Sequence, residues 1–154
     1  MITLEKMSET DFRAFYDFAI DDYAKEKTKA GNYTEEEAQE RSKQDFANLL
    51  PDGLETENHL LWTITATETH EKAGYLWIFA DSSSQTAFIY NIVVFDNFQG
   101  KGFGTEALGQ LEKVLKERGI KKLELHVFGH NKGAFRLYER LGFGVTNIIM
   151  AKSL

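Results

Sequence analysis

Two stretches of this 154-residue chain place chemistry-bearing residue types at short, regular spacing. The first is Gln99-Gly100-Lys101-Gly102-Phe103-Gly104-Thr105, directly ahead of an amphipathic helical pattern. Three glycines in five residues lose much backbone entropy on folding, so some function should require them. Glycines let successive N–H groups turn into one concavity, and a helix start behind them adds a field that favours an anion. The pattern G-x-x-x-x-G-K-[ST] of a P-loop is absent. Gly102 to Ala107 does spell G-x-G-x-x-A, with Glu124 about 20 residues on, as a dinucleotide site asks. Against that reading, Phe95 to Gln99 separate the preceding strand from the glycines, and too little chain follows for a doubly wound sheet. A main-chain cradle for a pyrophosphate, such as that of coenzyme A, is the better reading. A tight turn without a ligand is the plain alternative.

The second stretch is "NKGAFRLYERLGF". Asn131, Ala134 and Tyr138 are spaced three and four apart and so share one helix face. Small Ala134 leaves room for a ligand between two polar neighbours. Each polar residue also has a structural reading. Asn131 suits a helix N-cap, and Tyr138 sits beside the core candidates Leu137 and Leu141.

Together, in this order, the two stretches resemble the GNAT superfamily of acyl-CoA-dependent N-acetyltransferases. That family carries Q/R-x-x-G-x-G/A and then N-x-x-A-x-x-L/F-Y-x-x-x-G-F. The resemblance is in sequence from about Tyr90 to Phe143 and in element order before that. It implies acetyl-CoA as cofactor and transfer of the acetyl group to a primary amine of a small molecule or peptide by direct attack. It implies that Gln99, Gly100, Lys101, Gly102, Phe103, Gly104 and Thr105 wrap the pyrophosphate. Ile92, Val93 and Val94 would pair through their main chain with the pantetheine arm, on a strand splayed from its neighbour. Asn131 would bond that arm or an ordered water, and Tyr138 would protonate the departing thiolate. A non-catalytic acyl-CoA-binding sensor or interaction module of the same fold is the alternative.

One departure from the family pattern concerns the general base. Many relatives carry an acid on the strand before the loop, whereas this chain reads Tyr90-Asn91-Ile92-Val93-Val94. Asn91 takes no proton but can hold a water that does. His126, in "LELHVF", has an ordinary pKa suited to base work and alternates to the side of Glu124 and Phe128. Asp21, Asp22 and Glu26 on the first helix suit a cationic acceptor or, more plainly, a solvated helix face.

The elements that position these residues are legible as periodicity. "ITLEKM" reads as a strand. Ser8 caps a helix bearing Phe12, Phe15, Phe18 and Ala19 at helical spacing. Thr34, followed by three glutamates, caps a second helix that Pro51-Asp52-Gly53 stops. "HLLWTITA", "AGYLWIFA" and "TAFIYNIVVF" read as an antiparallel meander. A helix after the glycines, a strand "KKLELHVF", a helix "NKGAFRLYERLG" and one or two strands in "FGVTNIIMAKSL" complete the chain. These elements make one α/β (α+β) domain over residues 1–154, and the resemblance implies a mixed, mostly antiparallel sheet with a splayed central strand pair and about four flanking helices.

Composition bounds the partners. Hydrophobic residues make up 42% and charged residues 27%, the balance of a water-soluble domain. Eighteen basic against twenty-four acidic residues leave a net charge of -6, which argues against nucleic acid. There is no cysteine, so a thiol nucleophile, a disulfide and a thiolate metal site are excluded. Four histidines lack ligand spacing, and no metal is expected. No apolar run reaches the ~18 residues of a membrane span. The opening "MITLEKMSETDF" lacks a signal-peptide layout, so a cytoplasmic protein is expected. "TNIIMAKS" as a last strand makes a homodimer possible.

Overall fold

The computed structural model describes residues 1–154. Five strands form one sheet in the order β1-β2-β3-β4-β5: β1 (Ile2–Lys6), β2 (His59–Ala66), β3 (Lys72–Asp81), β4 (Thr86–Val94) and β5 (Lys122–Leu125). The first four pair antiparallel, and β5 lies parallel to β4. A parallel neighbour needs a crossover, here the helix that follows the glycine loop. Four helices flank the sheet: α1 (Glu9–Lys29), α2 (Ala38–Leu49), α3 (Phe103–Glu117) and α4 (Lys132–Arg140). This is the mixed, mostly antiparallel sheet with four helices that the element order and the family resemblance imply.

The sheet separates two apolar layers. On one face α3 buries Phe103, Ala107, Leu108, Leu111 and Leu115, a stripe at helical spacing, against Ile64, Leu76, Ile78 and Ile89. On the other, Phe15, Ala19 and Ile20 of α1 and Phe46 of α2 pack on Leu61, Tyr75 and Trp77. Buried Ser42 ties the two helices together, its hydroxyl donating to the Ile20 carbonyl at 2.7 Å. Ser8 caps α1 as expected, its Oγ accepting from Asp11 N at 3.0 Å.

Three expectations need correction. Thr34 and Glu37 do exchange capping-box hydrogen bonds, but a turn intervenes and α2 starts only at Ala38. β5 stops at Leu125 rather than reaching Phe128: its pairing with β4 ends at Ile89, where the β4 register shifts. The final strands do not form: residues 144–154 are in no helix or strand, and Ile148, Ile149 and Met150 are exposed. An apolar strand needs main-chain hydrogen bonds to a neighbouring edge, and this segment makes none within its own chain.

No helix is long and apolar enough to cross a membrane. No group of three or more His, Asp or Glu side chains is placed to hold a metal ion.

Candidate active site

The site begins at a defect in β4. Trp77 of β3 faces Asn91, but Ile78 faces Ile89, so Tyr90 is an extra residue, a β-bulge. The bulge breaks the alternation. Ile89 lies in the α3-side core and so, three residues later, does Ile92. Tyr90 stacks on Trp77 on the opposite face, with ring centroids 4.7 Å apart. β4 pairs with β5 only from Thr86 to Ile89. Beyond the bulge, the edge of Asn91–Val94 that faces β5 is unpaired. This is the splayed strand pair, and it leaves main-chain groups free to pair with an extended ligand arm.

The Gln99–Thr105 loop follows. Gly100 (φ 78°) and Gly102 (φ 80°) adopt the left-handed conformation that favours glycine, and a Cβ at either would meet open space. Neither glycine therefore serves packing. Phe103 anchors the loop, stacked on Phe98 at 5.7 Å with its side chain in the core. The Gln99 side-chain amide donates to the Val94 carbonyl at 2.9 Å and so fixes the loop to the end of β4. The Lys101 ammonium sits over the Phe98 ring, 5.6 Å from its centroid.

The consequence lies in the hydrogen-bond pattern. The six consecutive N–H groups from Gly100 to Thr105 donate to no acceptor in the chain, whereas Gln99 N and Glu106 N both have partners. Unpaired amides on successive residues at a helix start form an anion-binding nest. A pyrophosphate fits their number and sign, and no lysine is needed to hold it.

Between α1 and the end of β4 lies a cleft of about 680 Å³, lined by Phe18, Asp22, Ile92, Val93, Val94 and Gln99 among others. It brings the expected cofactor strand together with Gln99. It also brings in two α1 residues. Phe18, expected on the helix's core stripe, is 42% exposed and turned to the cleft. Burial, with Glu26 nearby, raises the Asp22 carboxyl pKa above its ordinary value.

The other candidates do not line this cleft. Asn91 Oδ1 is buried and has no hydrogen-bond partner. Asn131 caps α4, its Oδ1 accepting from Ala134 N at 3.3 Å, so the structural reading holds for that oxygen; its side-chain nitrogen is free. Tyr138 packs against the α3-side core and meets Phe143 edge-on at 5.7 Å, and its hydroxyl has no partner in the chain. Burial raises its pKa, so the phenol is protonated at neutral pH. His126 lies just past β5. The residue as a whole is exposed, but its ring packs edge-on to Phe128 at 4.8 Å. That desolvation, with Lys27 nearby, lowers its pKa, so it is neutral at pH 7. Phe128 in turn touches Tyr23 of α1 and stacks on His130.

A glycine loop with free amides, opening a helix beside a splayed strand, is the architecture of an acyl-CoA-dependent acyltransferase. The chain belongs to the Acetyltransferase (GNAT) family, which matches residues 12–143. It is similar to the N-acetyltransferase YycN of Bacillus subtilis, 43% identical over 99% of both chains, and to YdgE of the same organism, 40% identical over 99% of this chain and 98% of that one. The crystal structure of YycN superimposes with a TM-score of 0.95, covering 100% of this chain and 99% of that one at 42% identity. The PaiA N-acetyltransferase of Thermoplasma acidophilum, in complex with coenzyme A, shares the fold at a TM-score of 0.71 and 22% identity, over 97% of this chain and 93% of that one. The chain is thus an acyltransferase of a family that uses acetyl-CoA.

Two contributors escaped the sequence reading. Asp22 was visible only as one acid among several on α1. Gly74 was not singled out, although a glycine inside a strand signals close backbone approach. A Cβ on Gly74 would lie 1.9 Å from the Val93 carbonyl oxygen.

Proposed function

We propose that this chain transfers the acetyl group of acetyl-CoA to a primary amine by direct attack, without a covalent enzyme intermediate. The observation that carries the reading is the row of unpaired N–H groups from Gly100 to Thr105. Acetyl-CoA, when bound, supplies an activated thioester. The amides of the loop hold its pyrophosphate. The unpaired main chain of Ile92, Val93 and Val94 orients the pantetheine arm, and an amide there polarises the thioester carbonyl.

An alkyl ammonium with a pKa near about 10.4 must lose a proton before attack, roughly 4 kcal/mol at neutral pH. Asp22 is the base we favour. It faces Ile92–Val94 across the cleft, and its raised pKa makes it a stronger base than an ordinary carboxylate. The buried Asn91 Oδ1, with no partner, accepts an N–H of the amine or an O–H of a relay water. Neutral His126 is the second candidate for the base. Tyr138, protonated and otherwise unpartnered, donates to the departing thiolate. The cleft's acid and the acidic chain tilt the acceptor toward cationic amines.

The test is acetyl-CoA turnover against a panel of peptide N-termini, lysine peptides, polyamines, amino acids and aminoglycosides. Release of coenzyme A stoichiometric with an N-acetyl product in one class supports the reading. No product in any class, with acetyl-CoA bound, refutes it.

A further inference from the structure

We propose, on the reading of the glycine loop as the seat of a pyrophosphate, that Glu106 is a positioning residue for that cradle: with Gln110 it clamps α3 to the main chain of Ile2 and so sets where the free amides stand. The Ile2 N–H donates to Glu106 Oε1 at 3.0 Å. The Ile2 carbonyl accepts from the Gln110 side-chain amide at 2.9 Å. Glu106 and Gln110 are one turn apart on α3, so one helix face takes both main-chain groups of a single residue. The Met1 ammonium reaches the same Glu106 oxygen at 3.2 Å. Ile2 opens β1, the edge strand, which pairs with β2 along all five of its residues. The clamp therefore fastens α3 to the sheet itself.

Apolar packing alone does not fix the position of the cradle. Ile2, Ala107 and Leu111 share the α3-side core, but burial of apolar surface is non-directional and constrains sliding of a helix only weakly. Hydrogen bonds to a strand are directional and hold the register. A slip of α3 by one residue would shift it about 1.5 Å along its axis. The loop would follow, because the Glu106 N–H donates to the Gly102 carbonyl at 3.0 Å and closes the first turn. At its other end the loop is tied to β4 by Gln99. The six free amides thus lie between two anchors, one on β4 and one on β1. The clamp also governs charge. Glu106 follows directly on the free amides, and a carboxylate in the first turn of a helix is attracted to such groups. The Ile2 N–H holds the Glu106 carboxyl below its ordinary range, so it is ionised at neutral pH. Yet it bonds to β1 and to none of the loop amides, which leaves them open to an external anion.

Calorimetry with coenzyme A, beside steady-state kinetics, tests the clamp. Glu106→Ala should weaken coenzyme A binding by at least about fivefold, the low end for energetic coupling between two sites. The KM of acetyl-CoA should rise in step, while that of the amine stays where it is and kcat changes much less. Glu106→Gln keeps an oxygen that can accept from the Ile2 N–H, so it should recover the lost affinity. Gln110→Ala breaks the other half of the clamp without changing any charge, and should weaken coenzyme A binding in the same direction. It decides the matter alone if Glu106→Ala does not fold. A wild type that binds coenzyme A no better than Gln110→Ala and Glu106→Ala would overturn the clamp and leave the cofactor site standing. Tighter binding in both Glu106 variants would overturn it in favour of simple charge repulsion. Equal losses in both KM values would assign the contacts to global packing instead. A wild type that does not bind coenzyme A would overturn the cofactor site and the clamp with it.

Discussion

His130 Nε2 lies 2.5 Å from a carboxylate oxygen of Glu26, tying the turn ahead of α4 to the last third of α1. The two elements flank the end of the sheet where β4 and β5 part. The contact holds α1, the helix whose side of the cleft we assign to the amine, and touches none of the loop amides. His130→Ala should therefore raise the KM of the amine several-fold and leave that of acetyl-CoA unchanged. Both side chains are partly exposed, so the stability lost should be about 1 kcal/mol or less in urea unfolding. An equal change in both KM values would place the contact in global packing instead.

Gly102 supplies the sharpest test of the cradle. At φ 80° a side chain is strained whatever the space around it. An acidic one also adds negative charge where a pyrophosphate would sit. Gly102→Glu should weaken acetyl-CoA binding by at least about tenfold in calorimetry, equivalent to about 1.4 kcal/mol. Gly104→Ala is the control. Its φ is not positive, and its Cβ would meet Val94 Cγ2 at 3.7 Å, an ordinary contact, so it should fold normally. Unchanged affinity in Gly102→Glu would remove the loop from the cofactor site.

These two contacts differ in how far the sequence reveals them. The loop is legible because its glycines have only a conformational reason to be there, and that reason is local. β2 is legible from its run of β-branched and aromatic residues, and α1 from the Ser8 cap adjacent to it in sequence. The Glu26–His130 contact joins residues 104 positions apart, and no local pattern encodes it. Asp22 looks like Asp21 in the sequence. Helix packing alone turns one to the cleft and leaves the other exposed. The tail misleads for a physical reason. "TNIIMAKS" has strand composition, but strand formation needs main-chain hydrogen bonds to an edge, and it makes none within its own chain. Asn131 supports two readings because one side chain carries both an acceptor, used by the cap, and a donor left free.

Tyr138→Phe tests the acid role we assign to Tyr138. Burial keeps the phenol protonated well beyond neutrality, and its hydroxyl bonds to nothing in the chain. The substitution should lower kcat by at least about tenfold, the low end for loss of a proton donor, while acetyl-CoA affinity holds. In the wild type, activity should show no loss from this group below about pH 10. Equal turnover in the variant would exclude Tyr138 from the acid role.

Asp22→Asn should separate stability from turnover. Burial and the nearby Glu26 raise the folded-state pKa of Asp22 above its unfolded value. Below both values the group is neutral in each state and contributes nothing. As pH rises through them, the native state loses stability relative to the unfolded chain, and at pH 7 the loss is complete. The asparagine variant should thus melt at a higher temperature than wild type at pH 7. The gap should close as pH falls through the carboxylate range. If Asp22 is the base, kcat falls sharply in the same variant. A lower melting temperature at pH 7 would contradict the electrostatic reading, and full activity would move the base to His126.

Gly74 links the sheet to the chemistry. It faces Val94 across the β3–β4 ladder, and a Cβ there would lie 1.9 Å from the Val93 carbonyl oxygen and 3.2 Å from Val94 Cα. The obstructing atoms are main chain, which cannot swing aside as a flexible side chain would. Gly74→Ala must push β4 away from β3 at the stretch whose opposite edge we assign to the pantetheine arm. Overpacking of this kind costs about 1–3 kcal/mol, which urea unfolding would register. A displacement of under an ångström at Val93 would also misplace the amide we assign to polarising the thioester, so kcat should fall more than stability alone explains. Ala73, buried next to it on the same strand, provides the comparison. Ala73→Gly should lose stability by a different route, the loss of a buried methyl and the added backbone freedom, yet keep the wild-type ratio of kcat to folded enzyme. If both variants lose activity only in proportion to unfolding, the close approach at Gly74 serves the fold and not the site.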